Sequence, residues 1–169
     1  MDILIRNMID SDSLEFYKAF KSQGWNKPVS LFDQYYSEQQ SGKRKVFVAA
    51  CDNQVLGYAT LLQNAENGPF ANKNIPIIYD FNVLEKYQRN GVGTAILDYM
   101  ENQVKEYSNE ICLGVGLHYG YGSAQRLYVK RGYIPDGSGV WYNDKVLEQY
   151  YDCKNDDDLN LYLSKKLYR

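Results

Sequence analysis

Between Ile75 and Tyr107 a strand pattern runs into a helix pattern through a short turn ending in Gly91-Val92-Gly93. This join limits the fold more than any other stretch. Ile75 to Leu84 reads as a long strand, with Pro76 near its beginning, where a missing N–H is tolerated. Gly91 to Tyr107 is the clearest helix, with Val92, Ala95, Ile96, Tyr99, Met100 and Val104 on one face. Glycines at such a join let the backbone approach a ligand closely and leave the first helical N–H groups unobstructed. Those donors, helped by the helix dipole, suit a phosphate group. Gln88, Arg89, Asn90 and Thr94 place polar side chains around the same point.

The rest of the chain surrounds this join with alternating strands and helices. Ile3 to Arg6 reads as a short strand, and Asp10 to Ser13 cluster good N-caps for a helix through Leu14 to Phe20, stopped at Gly24. Pro28 and Ser30 open a second helical stretch, Leu31 to Glu38. Val46 to Cys51 and Val55 to Leu62 flank the turn Asp52-Asn53-Gln54 and predict a hairpin. Asn64 to Asn74 reads as a loop, Ile111 to Val115 as a strand, and Ser123 to Arg131 as a helix ending at Gly132. Short strand signals follow at Val140 to Tyr142 and Leu159 to Leu163. With no repeat, linker or low-complexity block, the reading is one domain over residues 1–169, an α/β or α+β sheet with both faces at least partly covered.

Composition narrows the chemistry. A formal charge of −2 argues against a nucleic-acid partner, which usually demands a basic face. The three cysteines have no C-x-x-C spacing and His118 is the sole histidine, so neither a disulfide framework nor a metal site is expected. No apolar run suits a membrane span, and the opening Met-Asp-Ile-Leu-Ile-Arg lacks a secretory pattern, so a cytoplasmic protein is expected. Among phosphate-binding motifs, a P-loop needs Gly-Lys-Ser/Thr where this chain has Gly93-Thr94-Ala95, and a dinucleotide fingerprint needs glycine where Ile96 stands.

Asn82-Val-Leu-Glu-Lys-Tyr-Gln-Arg-Asn-Gly-Val-Gly-Thr94 resembles the acetyl-CoA signature of the GNAT superfamily, Val-x-x-x-Tyr-Arg/Gln-x-x-Gly-x-Gly/Ala. Ser123-Ala-Gln-Arg-Leu-Tyr128-Val-Lys-Arg-Gly132-Tyr133 is similar to the family's later Ala-x-x-x-Tyr-x-x-x-Gly-Phe/Tyr block. The resemblance implies a mixed, mainly antiparallel central sheet of about seven strands flanked by about four helices. It implies an N-acetyltransferase that moves the acetyl group of acetyl-CoA onto a primary amine by direct attack in a ternary complex. No metal is implied, and a homodimer would fit the family's habit.

Residue by residue, the resemblance assigns the pyrophosphate to the amides of Gln88, Arg89, Asn90, Gly91, Val92, Gly93 and Thr94, and the cofactor arm to Phe81, Asn82 and Val83. Ser123 joins this cofactor-binding set. Gly114 and Gly116 fit a strand that leaves room for a ligand. Tyr128 matches the tyrosine that protonates the leaving thiolate, although Ala124, Leu127 and Tyr128 share a helical face and packing alone accounts for it too. Asp80 matches an acid that deprotonates the amine in some members; a strand-end carboxylate that is merely solvated or paired is the alternative, with Glu85 as rival. Asp80 and Asn82 would share one strand face. Tyr121 stands where many members carry asparagine, and the acids Asp156 to Asp158 read as a solvated loop. The amine itself stays open among polyamines, amino acids, aminoglycosides, arylamines, protein lysines and N-termini. The competing functions are a non-catalytic acyl-CoA sensor and an unrelated nucleotide-binding domain.

Overall fold

The computed structural model describes residues 1–168. It contains four α-helices and eight strands in the hydrogen-bonded order β1-β2-β3-β4-β5-β8-β6-β7, mostly antiparallel. The strands are β1 Leu4–Asn7, β2 Lys45–Cys51, β3 Gln54–Leu62, β4 Ile77–Val83, β5 Glu110–Gly116, β6 Ile134–Tyr142, β7 Lys145–Val146 and β8 Leu159–Lys166. The helices are α1 Asp12–Ser22, α2 Val29–Gln40, α3 Val92–Lys105 and α4 Gly122–Lys130. The expected mixed sheet and helix count are thus present, with one strand more than about seven. The chain divides into two compact units, Met1–Leu62 with Tyr79–Gln103, and Gln63–Ile78 with the chain from Val104 onward.

In the first unit, β1 pairs with β2 and β2 with β3, both antiparallel. The hairpin turn holds two residues rather than three: Asp52 and Asn53 both have positive φ (47° and 62°), the geometry that matches strand twist. Alternation along β2 sorts side chains to two faces. Val46 and Val48 join Phe16, Phe20, Phe32, Tyr35 and Tyr58 in one buried cluster under α1 and α2. Phe47 points the other way and meets Tyr99 of α3 edge-on, with centroids 5.6 Å apart. Each buried phenylalanine contributes roughly 1.5–3 kcal/mol, so the rings fix where α1 and α2 sit on the sheet. Helix α1 starts where Asp12, 2% exposed, takes two bonds from Arg6 (2.7 and 2.9 Å) and one from the Ile9 amide. It ends as Gly24 (φ 81°) and Trp25 return their amides to Lys21 and Phe20, a Schellman closure.

In the second unit, β5 lies antiparallel to β8 over its full length, Glu110↔Lys166 to Gly116↔Asn160. β4 joins β5 in parallel at Ile77↔Cys112 and Ile78↔Leu113. Strand β6 starts six residues before the expected strand, at Ile134, because Ile-Pro-Asp-Gly-Ser-Gly reads as a turn. The ladder to β8 indeed shifts register between Pro135 and Val140, so the turn residues form a bulge inside a strand. The short β7 hairpin closes on Asn143 and Asp144, again both at positive φ. Burial, and next the charge of Glu110, push the Cys112 thiol up to about 12. All three thiols are free, and among the described residues no helix is long and apolar enough to cross a membrane.

Candidate functional site

The join that the sequence singled out is a strand end, a single 3₁₀ turn over Glu85–Tyr87, and the start of α3. Arg89 (φ 62°) and Gly91 (φ 81°) turn the chain through left-handed conformations just before the helix. The Ala95 amide donates to the Gly91 carbonyl at 2.9 Å, so the amides of Val92, Gly93 and Thr94 come before any intrahelical acceptor. Gln88, Arg89, Asn90 and Gly91 are exposed, and a side chain at Gly91 would meet open space. The loop holds its own shape: Gln88 Nε2 donates to the Val83 carbonyl (3.1 Å), and Asn90 Nδ2 to the Gln88 carbonyl (3.2 Å). First-turn amides without an intrahelical acceptor, at a positive helix end behind an uncrowded Gly91, fit a diphosphate.

Upstream, the backbone at Asn82 and Val83 is pressed against β3. A Cβ on Gly57 would lie 2.6 Å from the Asn82 carbonyl oxygen and 3.0 Å from Val83 Cα. Glycine inside a strand is a signal of close backbone approach, and at Gly57 that signal was present in the sequence. Phe81, Asn82 and Val83 are each partly exposed.

Asp80 is the centre of the first unit's polar chemistry. It sits in β4 at φ 44°, a left-handed conformation that surrounding contacts must hold. Its Oδ2 accepts from Tyr58 Oη (2.6 Å) and Tyr35 Oη (2.8 Å). Its Oδ1 accepts from Asn82 Nδ2 (2.7 Å) and Lys27 Nζ (2.9 Å). Asp80 and Asn82 thus share a face, and the carboxylate is paired with Lys27, a pairing that is the structural alternative to a base. Burial first, then the charge and hydrogen bond of Asp80, raise the pKa of both Tyr35 and Tyr58, so both phenols stay protonated at neutral pH. Tyr35 is steadied from behind by Arg44, whose guanidinium lies 4.8 Å from the ring centroid and pairs with Glu38. Burial opposes ionisation of Glu38, but bonds from Gln34 and Arg44 and the charges of Arg44 and Lys43 outweigh it and lower its pKa. Lys27, Tyr35 and Tyr58 were absent from the sequence reading. They lie 53, 45 and 22 residues from Asp80, and no spacing rule connects them. Glu85 is exposed.

In the second unit, Tyr128 is buried on α4, edge-on to Tyr133 at 5.7 Å between centroids. Burial, and then the charge of Tyr121, raise its pKa, which keeps the proton on the phenol. Ser123 is exposed in the first turn of the same helix. Gly114 and Gly116 both have aromatic rings close beside them. A Cβ on Gly114 would lie 3.0 Å from the Tyr162 ring, and one on Gly116 would run into the Tyr121 ring, so these glycines admit the protein's own aromatics. His118 accepts from the Gly120 amide on Nδ1 and meets Asp157 through Nε2 at 2.9 Å; Tyr121 Oη donates to the same carboxylate oxygen. The acid run thus ties a loop down as well as facing solvent. Among the described residues no group of three or more His, Cys, Asp or Glu could hold a metal ion.

Residues 42–135 match the model of the acetyltransferase (GNAT) domain, more than half of the chain. An N-alpha-acetyltransferase of Sulfurisphaera tokodaii is 30% identical over 133 residues, which cover 75% of this chain and 71% of that protein. This chain belongs to the GNAT acetyltransferase family. The fold agrees: Ard1 from Thermoplasma volcanium superposes with a TM-score of 0.72 at 19% identity, covering 100% of both chains. The yncA protein of Salmonella typhimurium, solved with its cofactor acetyl-CoA, superposes with a TM-score of 0.69 at 15% identity, covering 98% of this chain and 94% of that one. The family match spans β2 to the start of β6 and so includes Asp80, the α3 loop and Tyr128 of this GNAT chain.

Proposed function

We propose that this GNAT protein transfers the acetyl group of acetyl-CoA to a primary amine by direct attack in a ternary complex. One observation carries the reading: at the mouth of α3 the amides of Val92, Gly93 and Thr94 precede any intrahelical acceptor, behind the exposed residues 88–91 and an uncrowded Gly91. The acetyl-CoA held by the yncA neighbour supports it. When bound, the cofactor supplies an activated acetyl thioester. Gln88 to Thr94 would hold its diphosphate and Phe81, Asn82 and Val83 its arm, while Ser123 joins the cofactor-binding set by the family resemblance alone. The acceptor is a small-molecule or peptide amine, met in the cytoplasm, with no nucleic acid or membrane involved. The Sulfurisphaera tokodaii relative, an N-alpha-acetyltransferase, supports an α-amino group as one such amine.

Asp80 anchors the amine and receives its proton. The protonated nitrogen has no lone pair, so one proton passes to Asp80 before attack, uphill in water by roughly 6 units or about 8 kcal/mol; the neutral amine then attacks the thioester carbon, and its second proton leaves as the carbon–sulfur bond breaks. The family resemblance assigns Tyr128 as the donor to the departing sulfur. Burial first, then the charge of Tyr121, raise its pKa, so at neutral pH it keeps the O–H that such a donor needs.

The test is thiol release from acetyl-CoA across a panel of amines. The parent turns over. Asp80→Asn is expected to lower kcat/KM for the amine by about 100-fold, and Tyr128→Phe to lower kcat by about 10-fold. Parent-like turnover by both variants would reject the two roles and leave the family intact. Stabilisation by acetyl-CoA with no turnover on any amine would select a sensor module instead.

A further inference from the structure

Lys27 lies in the segment joining α1 to α2, after the Gly24 closure and just before Pro28, and its ammonium reaches into the first unit's polar cluster. Nζ is 2.9 Å from Asp80 Oδ1 and 3.0 Å from Tyr58 Oη. The same nitrogen stands 5.6 Å from the Phe20 ring centroid and 5.7 Å from that of Tyr58. A carboxylate, a phenol oxygen and two aromatic rings around one nitrogen make a seat for a compact cation that also donates hydrogen bonds.

The seat does not depend on Lys27 for its shape. Tyr35, Tyr58 and Asn82 each bond Asp80 directly, and Phe20 and Tyr58 are also held by ring contacts with Phe16 and Phe32. Lys27 adds the balancing charge. Its side chain is 19% exposed on a flexible four-carbon stem, so its departure uncovers part of the Phe20 and Tyr58 faces, which an incoming alkylammonium would cover again. Asp80 is also the neighbour in sequence of Phe81 to Val83, the backbone that we assign to the cofactor arm. A strained residue at a satisfied cluster, bordering a proposed reaction centre, is the usual mark of a working position.

We infer that the Lys27 ε-ammonium occupies the seat of the acceptor's own ammonium, so that the acceptor is a primary alkylammonium and Lys27 is its built-in competitor. The inference rests on the amine-acetylation reading for what the seat is for. Arylamines, which are neutral at physiological pH, cannot replace a cation there, and quaternary ammonium groups bring no N–H donors. A primary alkylammonium replaces Lys27 like for like.

n-Butylamine, which reproduces the lysine side chain, is the probe, and Lys27→Met, which keeps the stem's bulk without its charge, is the variant. KM for n-butylamine is expected to fall about tenfold in Lys27→Met, with the change in kcat/KM carried by KM, and aniline is expected to be a poor acceptor for both proteins. n-Butylamine should also raise the Tm of Lys27→Met, and of Lys27→Gln as a polar second variant, but not of either combined with Asp80→Asn. An unchanged or raised KM in Lys27→Met overturns the inference while leaving amine acetylation in place. If no amine is acetylated by any of these proteins, the functional reading fails, and the Tm shift alone decides the seat: no stabilisation of Lys27→Met or Lys27→Gln overturns it.

Discussion

The loop that opens α3 and the cluster around Asp80 are both polar and both in the first unit, yet they are built in opposite ways. The loop uses consecutive residues, 88–94, and its bonds are internal: Gln88 to Val83 and Asn90 to Gln88. Its recognition groups are backbone amides, exposed by the way a helix starts. The cluster gathers Lys27, Tyr35, Tyr58, Asp80 and Asn82 from a helix, two strands and a connecting segment. Its recognition groups are side chains, two of them phenols held protonated by burial and by the Asp80 charge. Backbone recognition of a phosphate is written locally, whereas a cation seat exists only after the sheet and helices have packed. Damage to packing should therefore reach the cluster first, and damage to local conformation should stay in the loop.

The largest expected effect is that of Gly57→Ala. The new methyl would meet the Asn82 carbonyl and Val83 Cα, backbone atoms that cannot rotate aside, so β4 must move away from β3. Overpacking of this kind costs about 3 kcal/mol at the upper end of its usual range. A shift of about 1 Å beside Asp80 should also lower kcat about 100-fold. Urea unfolding and thiol release on the same preparation check both. Wild-type stability in Gly57→Ala would mean that β4 yields freely and that the cluster is less rigid than its bonds imply.

Alkaline pH separates the two regions next. Below about pH 10 the tyrosines are protonated in folded and unfolded chains alike, so they do not change stability with pH. Above it the unfolded chain releases protons that Tyr35, Tyr58 and Tyr128 retain, since each has a raised pKa in the fold. Stability should then fall with pH, by up to about 1.4 kcal/mol per pH unit for each retained proton. Tyr58→Phe is expected to start lower, by about 1–2 kcal/mol for the lost bond to a charged group, and to decline with a shallower slope. Unfolding free energies between pH 9 and 11 measure both slopes. Equal slopes would show that Tyr58 ionises in place.

The same contrast explains how much could be read from the residues alone. The α3 helix, the hairpin of β2 and β3 and the α3 loop follow from local periodicity, turn residues and glycine placement, and each lies within a residue or two of its expected position. The family resemblance added Tyr128, inside its second block, and Asp80, two residues before its first. Leu97, fully buried on α3, was missed because the apolar face is wider than the stripe counted from one side. Lys27, Tyr35 and Tyr58 were hidden for a stronger reason. Seventeen tyrosines are spread along the chain, and only tertiary packing selects the two that point their hydroxyls at Asp80.

Gly91→Ala should give the smallest change and bears on the loop alone. The residue has φ 81°, and an added methyl meets no atom within 4 Å, so the cost is conformational and not steric crowding. An L-residue held there loses about 1 kcal/mol, or the turn relaxes and Arg89 and Asn90 rotate with it. Either response misaligns the amides of Val92 to Thr94. KM for acetyl-CoA should rise about tenfold, while KM for the amine and the alkaline slope stay as in the parent. The decisive comparison is therefore within one variant: a rise in both Michaelis constants would tie the loop to the Asp80 cluster and undo the separation drawn between them.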